Sequence, residues 1–229
     1  MHRVALAAGV LLLAAWTAAC GLDYHDGTTQ PSTIVVGSGR FVSESRPVQA
    51  VDRIVIGAGL RAIVTVSGAA SLDITAEDNI LPLIDAVEHD GELVLGWKPH
   101  DGGVSAHGVE IRVNVRQLRA VNASGGSQVD AQAVTGDAFS VTLSGASQFT
   151  GTGSVDSLTI DLGGAARFQA AGLTSRAVVA RLSGASSAVL RVTDSLRANV
   201  NGASILEFLG NPAVDATVSD SSIVRRLGP

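Results

Sequence analysis

Lysine is almost missing from this 229-residue chain; Lys98 is the only one. Aromatic residues make up 3% and cysteine occurs once, at Cys20. Each shortage excludes something. A net charge of −5 with one lysine gives no basic stripe for nucleic acid, and no electrostatic docking onto anionic lipid. One cysteine excludes an internal disulfide framework. With few aromatics, a core must rest on Val, Leu, Ile and Ala. What the sequence has is 46% hydrophobic residues and 26 glycines. That apolar share, at 16% charged residues, is incompatible with disorder over most of the chain.

The first 19 residues read as a leader. Arg3 supplies the positive end, Val4 to Trp16 is an apolar run, and Thr17-Ala18-Ala19 precede Cys20. The run is shorter than the roughly 20 residues of a spanning helix. Small residues just before Cys20 resemble a lipobox, although Thr17 stands where Leu is usual. The expectation is cleavage before Cys20 and lipidation there; the alternative is ordinary cleavage with Cys20 incidental. Residues 20–40 are rich in Gly, Thr, Ser and Pro and read as a tether. Residues 41–229 form the folded domain.

The second half repeats itself. Ser124-Gly125-Gly126-Ser127, Ser144-Gly145-Ala146-Ser147, Gly163-Gly164-Ala165-Ala166, Ser183-Gly184-Ala185-Ser186, Asn201-Gly202-Ala203-Ser204 and Ser219-Asp220-Ser221-Ser222 recur at intervals of 20, 19, 20, 18 and 18 residues. Flanking positions repeat as well. Ala123, Leu143, Leu162, Leu182, Val200 and Val218 stand two before the second residue of each motif. Val121, Val141, Ile160, Ala180, Ala198 and Ala216 stand four before, and Val129, Phe149, Phe168, Ala188, Leu206 and Val224 four after. Alternation of period two into each motif means a strand with one buried face. A unit of 18–20 residues cannot close its own core, but stacked units bury a continuous one. The fold class expected is therefore all-β, a right-handed parallel β-helix (solenoid) of such coils. An antiparallel sandwich is the alternative, although among the repeats only Asn201-Gly202 gives the hairpin signal it needs.

The region 41–115 is β-rich but less regular. Asp90-Gly91, between two apolar runs, signals a hairpin, Pro82 marks a short helix or bend, and Val109, Ile111, Val113 and Val115 alternate into the first repeat. This part is expected to cap the solenoid, with Arg225-Arg226 as a charged cap at the other end.

Several of these runs, in order, resemble the bacterial head-GIN domain, described as the head of an autotransporter adhesin. They are Ile54-Val55-Ile56-Gly57-Ala58-Gly59, Val64-Thr65-Val66-Ser67-Gly68, Ile74 to Leu81, Asp90 to Leu95, Val113 to Leu118 and the Ser-Gly-Ala-Ser repeats. The resemblance covers about residues 41–226 and implies a β-helical extracytoplasmic domain, often behind a lipoprotein leader. It implies little chemistry.

No catalytic apparatus is evident, so the chain is read as a non-enzyme with no cofactor. The histidines lack the paired spacing of a metal site; His100, Asp101 and His107 read as a solvated loop, and His25 and Asp26 fall in the tether. Serines recur in every coil, which marks architecture rather than a nucleophile. Asp137, Asp156, Asp194 and Asp215 are expected near one edge as turn formers, without the pattern of calcium-binding repeats. Glu77-Asp78 read as a turn before Asn79. The candidate functional feature is the column Ser127, Ser147, Ser186, Ser204 and Ser222, a surface ladder of hydroxyls that could bind glycan or else satisfy its own turns. The expected role is an exported module of the cell envelope, held to the outer membrane or cell surface by lipid on Cys20, meeting a glycan or protein partner. A glycan-active β-helix and an end-to-end self-assembling solenoid are the alternatives.

Overall fold

The computed structural model describes residues 34–100 and 102–229. The leader, Cys20, His25, Asp26 and Asp101 lie outside the described residues. The first half contributes β1 (Val35–Val36), β2 (Phe41–Arg46), β3 (Arg53–Ile56), β4 (Arg61–Val66) and β5 (Ser71–Glu77). After a 3-10 turn at Leu81–Leu83 come β6 (Ile84–His89), β7 (Glu92–Trp97), β8 (Val104–Ser105), β9 (Val109–Val115) and β10 (Ala120–Ala123). The repeats follow as long bent strands: β11 (Gln128–Leu143), β12 (Gln148–Leu162), β13 (Arg167–Leu182) and β14 (Ser187–Val200). Last come β15 (Ile205–Leu209), β16 (Ala213–Val218) and β17 (Ile223–Gly228).

These strands form a parallel β-solenoid. Two ladders run along it. One stacks β9, β4, the first part of β11, then β12, β13, β14, β15 and β17. The other stacks β7, β3, β10, the last part of β11, then β12, β13, β14 and β16. Registers match the repeat: Val121, Val141, Ile160, Ala180 and Ala198 align, as do Val129, Phe149, Phe168, Ala188 and Leu206. All of these are buried. Phe149 and Phe168 stack with ring centroids 5.1 Å apart and planes 6° from parallel, and Phe139 tilts onto Phe149 at 5.9 Å. The Phe149 ring fits because Gly151 lies beside it; a Cβ on Gly151 would come 2.7 Å from Cε1 of that ring.

The first coil in sequence is the second in space. Strand β3 pairs with β7 on one side and β10 on the other, and β4 lies between β9 and β11. Hence β9 does not lead directly into the first repeat's neighbour, as the sequence suggested; the coil β3–β4 intervenes. The end beyond β7 and β9 is closed by antiparallel strands: β5 on β9, β2 on β5 and β6 on β7. Asp90 and Gly91, both at positive φ, make the β6–β7 hairpin. The expected cap is thus present at this end. At the other end, among the described residues, β16 pairs only with β14 and β17 only with β15. Arg225 and Arg226 do not follow the last coil but belong to it, within β17.

Candidate interaction surface

The turn column is built from residues at positive φ, and it has seven members rather than six: Ala58, Gly125, Gly145, Gly164, Gly184, Gly202 and Asp220. Stacking is tight enough that backbone bonds continue through the turns. The N–H groups of Ala165, Ala185, Ala203 and Ser221 donate to the carbonyls of Gly145, Gly164, Gly184 and Gly202 at 2.7–2.9 Å. A Cβ on Gly164, Gly184 or Gly202 would lie 2.8, 2.6 and 2.5 Å from the carbonyl oxygen of the glycine one coil before. Non-glycine residues occur only at the column's two ends.

The serine column is not a surface ladder. Ser127, Ser147, Ser186 and Ser204 are buried, and only Ser222 of the last coil is partly exposed. Ser127 and Ser147 donate to the carbonyls of Ser124 and Ser144, both at 2.7 Å, and Ser186 donates to that of Ser183. Ser204 reaches the Gly184 carbonyl at 3.4 Å, and Ser222 Oγ accepts from Ser204 N–H. The hydroxyls satisfy turn carbonyls that would otherwise be desolvated without a partner, so they are not available to a glycan. Ser175 is the contrary case: its buried hydroxyl has no partner among the described residues.

The carboxylates also do structural work. Arg176 lies between Asp156 (3.6 Å) and Asp194 (3.1 Å), while Asp215 pairs with Arg197 on a different row. Hydrogen bonds from Thr193 and Arg176 hold Asp194 below the usual carboxylate range. Among the described residues no three His, Cys, Asp or Glu side chains converge as a metal site would require.

Glu77-Asp78-Asn79 do more than turn the chain. Together they fasten residues 36–40, part of the segment assigned to the tether. Glu77, fully buried, accepts from the Gly39 N–H (2.8 Å), the His107 N–H (3.0 Å) and His107 Nδ1 (2.6 Å). Asp78 accepts from Ser38 Oγ and Arg40 Nε, and Asn79 bonds the Ser38 N–H and the Val36 carbonyl. In the same region β1 pairs with β8. His107 is exposed, as expected of a solvated loop, and is also a clasp residue through its bonds to Glu77. His100 turns back onto the Lys98 carbonyl.

The outward side of the β10–β16 ladder is polar and carries shallow depressions. Its rows run Ser140, Thr159, Val179, Arg197, Asp215 and Asn122, Thr142, Asp161, Arg181, Asn199, Thr217. Shallow depressions at the later coils are lined by Asp161, Arg181, Arg197, Asn199, Asn201 and Asp215. Sequence reading missed this face, because outward positions carry no shared residue type to reveal them.

Residues 50–212 match the family model described as "Putative auto-transporter adhesin, head GIN domain". The chain belongs to this family. No curated protein sequence matches it. Among solved structures, the head-GIN chain is similar to a "putative adhesin" from Bacteroides fragilis, at TM-score 0.68 and 19% identity, covering 85% of this chain and 100% of that one. It is also similar to a "putative lipid binding protein" from Parabacteroides distasonis, at TM-score 0.56 and 14% identity, with 85% and 100% covered. A "putative adhesin" from the same organism matches at TM-score 0.50 and 17% identity, again over 85% and 100%. At these identities the likeness establishes a shared fold.

Proposed function

We propose that this head-GIN chain is a non-catalytic adhesive module of the bacterial envelope, exported and held by lipid on Cys20, which meets a polar partner, glycan or protein, on the outward face of the β10–β16 ladder. One observation carries the choice of face. There, shallow depressions at the later coils gather Asp161, Arg181, Arg197, Asn199 and Asp215, and Arg181 is exposed and, like Arg61 and Arg167 on the other ladder, without an ion-pair partner among the described residues. The turn hydroxyls, by contrast, are committed internally. Family membership supports an adhesive role. The anchor rests on the leader-like sequence before Cys20.

Binding of the purified full chain to envelope fractions, glycan arrays and extracellular matrix tests this reading. Arg181→Ala with Asn199→Ala should lower binding at least severalfold while leaving unfolding unchanged; undiminished binding would reject this face. For the anchor, Cys20→Ser should move the chain from the detergent phase to the aqueous phase, and unaltered partitioning would reject lipidation.

A further inference from the structure

The two ends of the solenoid differ in kind. At the closed end, the outermost strands are β2, which reads Phe41-Val42-Ser43-Glu44-Ser45-Arg46, and β6, which carries Asp85, Glu88 and His89. Prolines flank both, at Pro47 and Pro82. These are the devices that blunt an edge against pairing. The open end carries prolines and charges as well, Pro212 and Pro229 beside its two edge strands and Asp215, Arg225 and Arg226 within them, but it leaves more apolar side chains uncovered. Every residue of β16 is exposed, including the inward-row Val214 at 47% and Val218 at 44%. Ile223 (47%) and Leu227 (49%) are exposed on β17.

A second observation points the same way. The outward row Arg61, Gln128, Gln148, Arg167, Ser187 is polar through five coils and then becomes Ile205 and Ile223 at the last two. Burial within the chain does not require that change, because these positions face away from the core. The change is confined to the open end.

We infer that this end is the contact for a second copy of the chain, tail to tail, forming a closed dimer. Strand β16 runs into the turn at 219–222 and β17 runs out of it. A two-fold axis through that turn therefore lays β17 of each copy antiparallel against β16 of the other. Both free edges are paired at once, whereas a single extended guest segment would pair only one. Outward-facing Arg225, paired with Glu207 in its own copy, comes to the side of the seam that carries Asp215 of the second copy, itself paired with Arg197, so unlike charges lie on the two sides of the seam. The contact is isologous, and the blunt far ends stop growth at two. The first described strands, β1 and β2, lie at the closed end. Arg226 occupies the inward row filled by Leu190 and Phe208 in the preceding coils. Its charge weakens the seam and keeps the dimer reversible.

Sedimentation of the full chain in detergent, from nanomolar to high micromolar concentration, should show monomer passing to dimer and no larger species. Val218→Lys with Ile223→Lys, both at exposed positions, should weaken dimerisation at least tenfold with unfolding unchanged, and Arg226→Leu should tighten it. Ser221→Cys, beside the axis, should cross-link to its own counterpart under mild oxidation while the wild-type chain does not. A monomer at every concentration, a dimer indifferent to the paired lysines, or growth into filaments would each overturn the inference. None of these outcomes depends on whether the polar face binds a partner.

Discussion

Gly184 sits directly over Gly164: a Cβ on Gly184 would come 2.6 Å from the Gly164 carbonyl oxygen, with φ already at +76°. Two separate penalties apply there. Positive φ costs a side chain about 1–2 kcal/mol, and overlap with backbone adds more because neither coil can withdraw without breaking the ladder. Gly184→Ala should therefore cost about 3–5 kcal/mol. Gly126, at φ +84° with open space around its would-be Cβ, isolates the first penalty. Gly126→Ala should cost about 1–2 kcal/mol. Denaturant unfolding of the pair checks the difference.

The Phe149 ring and Gly151 make a second coupled pair. Gly151→Ala should destabilise, and Phe149→Leu made in the same chain should recover part of that loss, although Phe149→Leu alone is harmful. A double-mutant cycle reads the coupling, expected at about 1–2 kcal/mol. Strict additivity would mean that the ring does not set the choice of glycine.

Two buried serines should behave oppositely. Ser147→Ala strips a partner from the Ser144 carbonyl and should cost about 1 kcal/mol, tempered by the natural Ala166 at the same place in another coil. Ser175→Ala removes a buried hydroxyl with no partner among the described residues and should be neutral or stabilising by up to about 1 kcal/mol. Thermal unfolding of both variants in parallel decides it.

Much of this was readable in the residues themselves. The spacing of the glycine turns fixes the coil length, and the apolar columns at −4, −2 and +4 fix the register, because stacking repeats both. Ser127 could have been placed correctly too. Counting back by two from inward Val129 puts it on the inner side, but its polarity suggested solvent. Gly57-Ala58-Gly59-Leu60 was missed as a turn-column member because it lacks the serines, and Ala58 is accommodated only at the column's end. The order of coils was not readable at all. Which edge β10 chooses depends on complementarity with β3 across 63 intervening residues, and local pattern carries no record of that. The Glu77 clasp was invisible for the same reason, since Gly39 and His107 are remote from it in sequence.

That clasp makes a prediction about acid. Burial pushes the Glu77 carboxyl up, but the N–H groups of His107 and Gly39 and the His107 ring outweigh it, leaving Glu77 below its ordinary 4.5. A carboxyl depressed in the folded state binds its proton less readily than in the unfolded chain. Its contribution is therefore whole above the ordinary value and is lost as pH falls through the depressed one. Asp78, held low chiefly by Ser38 and Arg40, acts in the same sense. Protection of the amides of residues 36–40, measured against their intrinsic exchange rates at each pH, should fall below about pH 4. In Glu77→Gln the pH dependence should be smaller, and a wild-type profile in that variant would refute the clasp.

The interleaved coil has a consequence for how the chain is made. Residues 53–66 leave the ribosome, and any export channel, before either of the coils that flank them, and their second neighbour is not complete until about residue 132. Nothing can therefore be laid down strictly in the order of emergence at the beginning. A waiting strand pair must hold its two sides open while some sixty residues pass. From β12 onward each coil finds its template already finished, so the later part can grow one rung at a time, and a fault introduced early should block everything behind it.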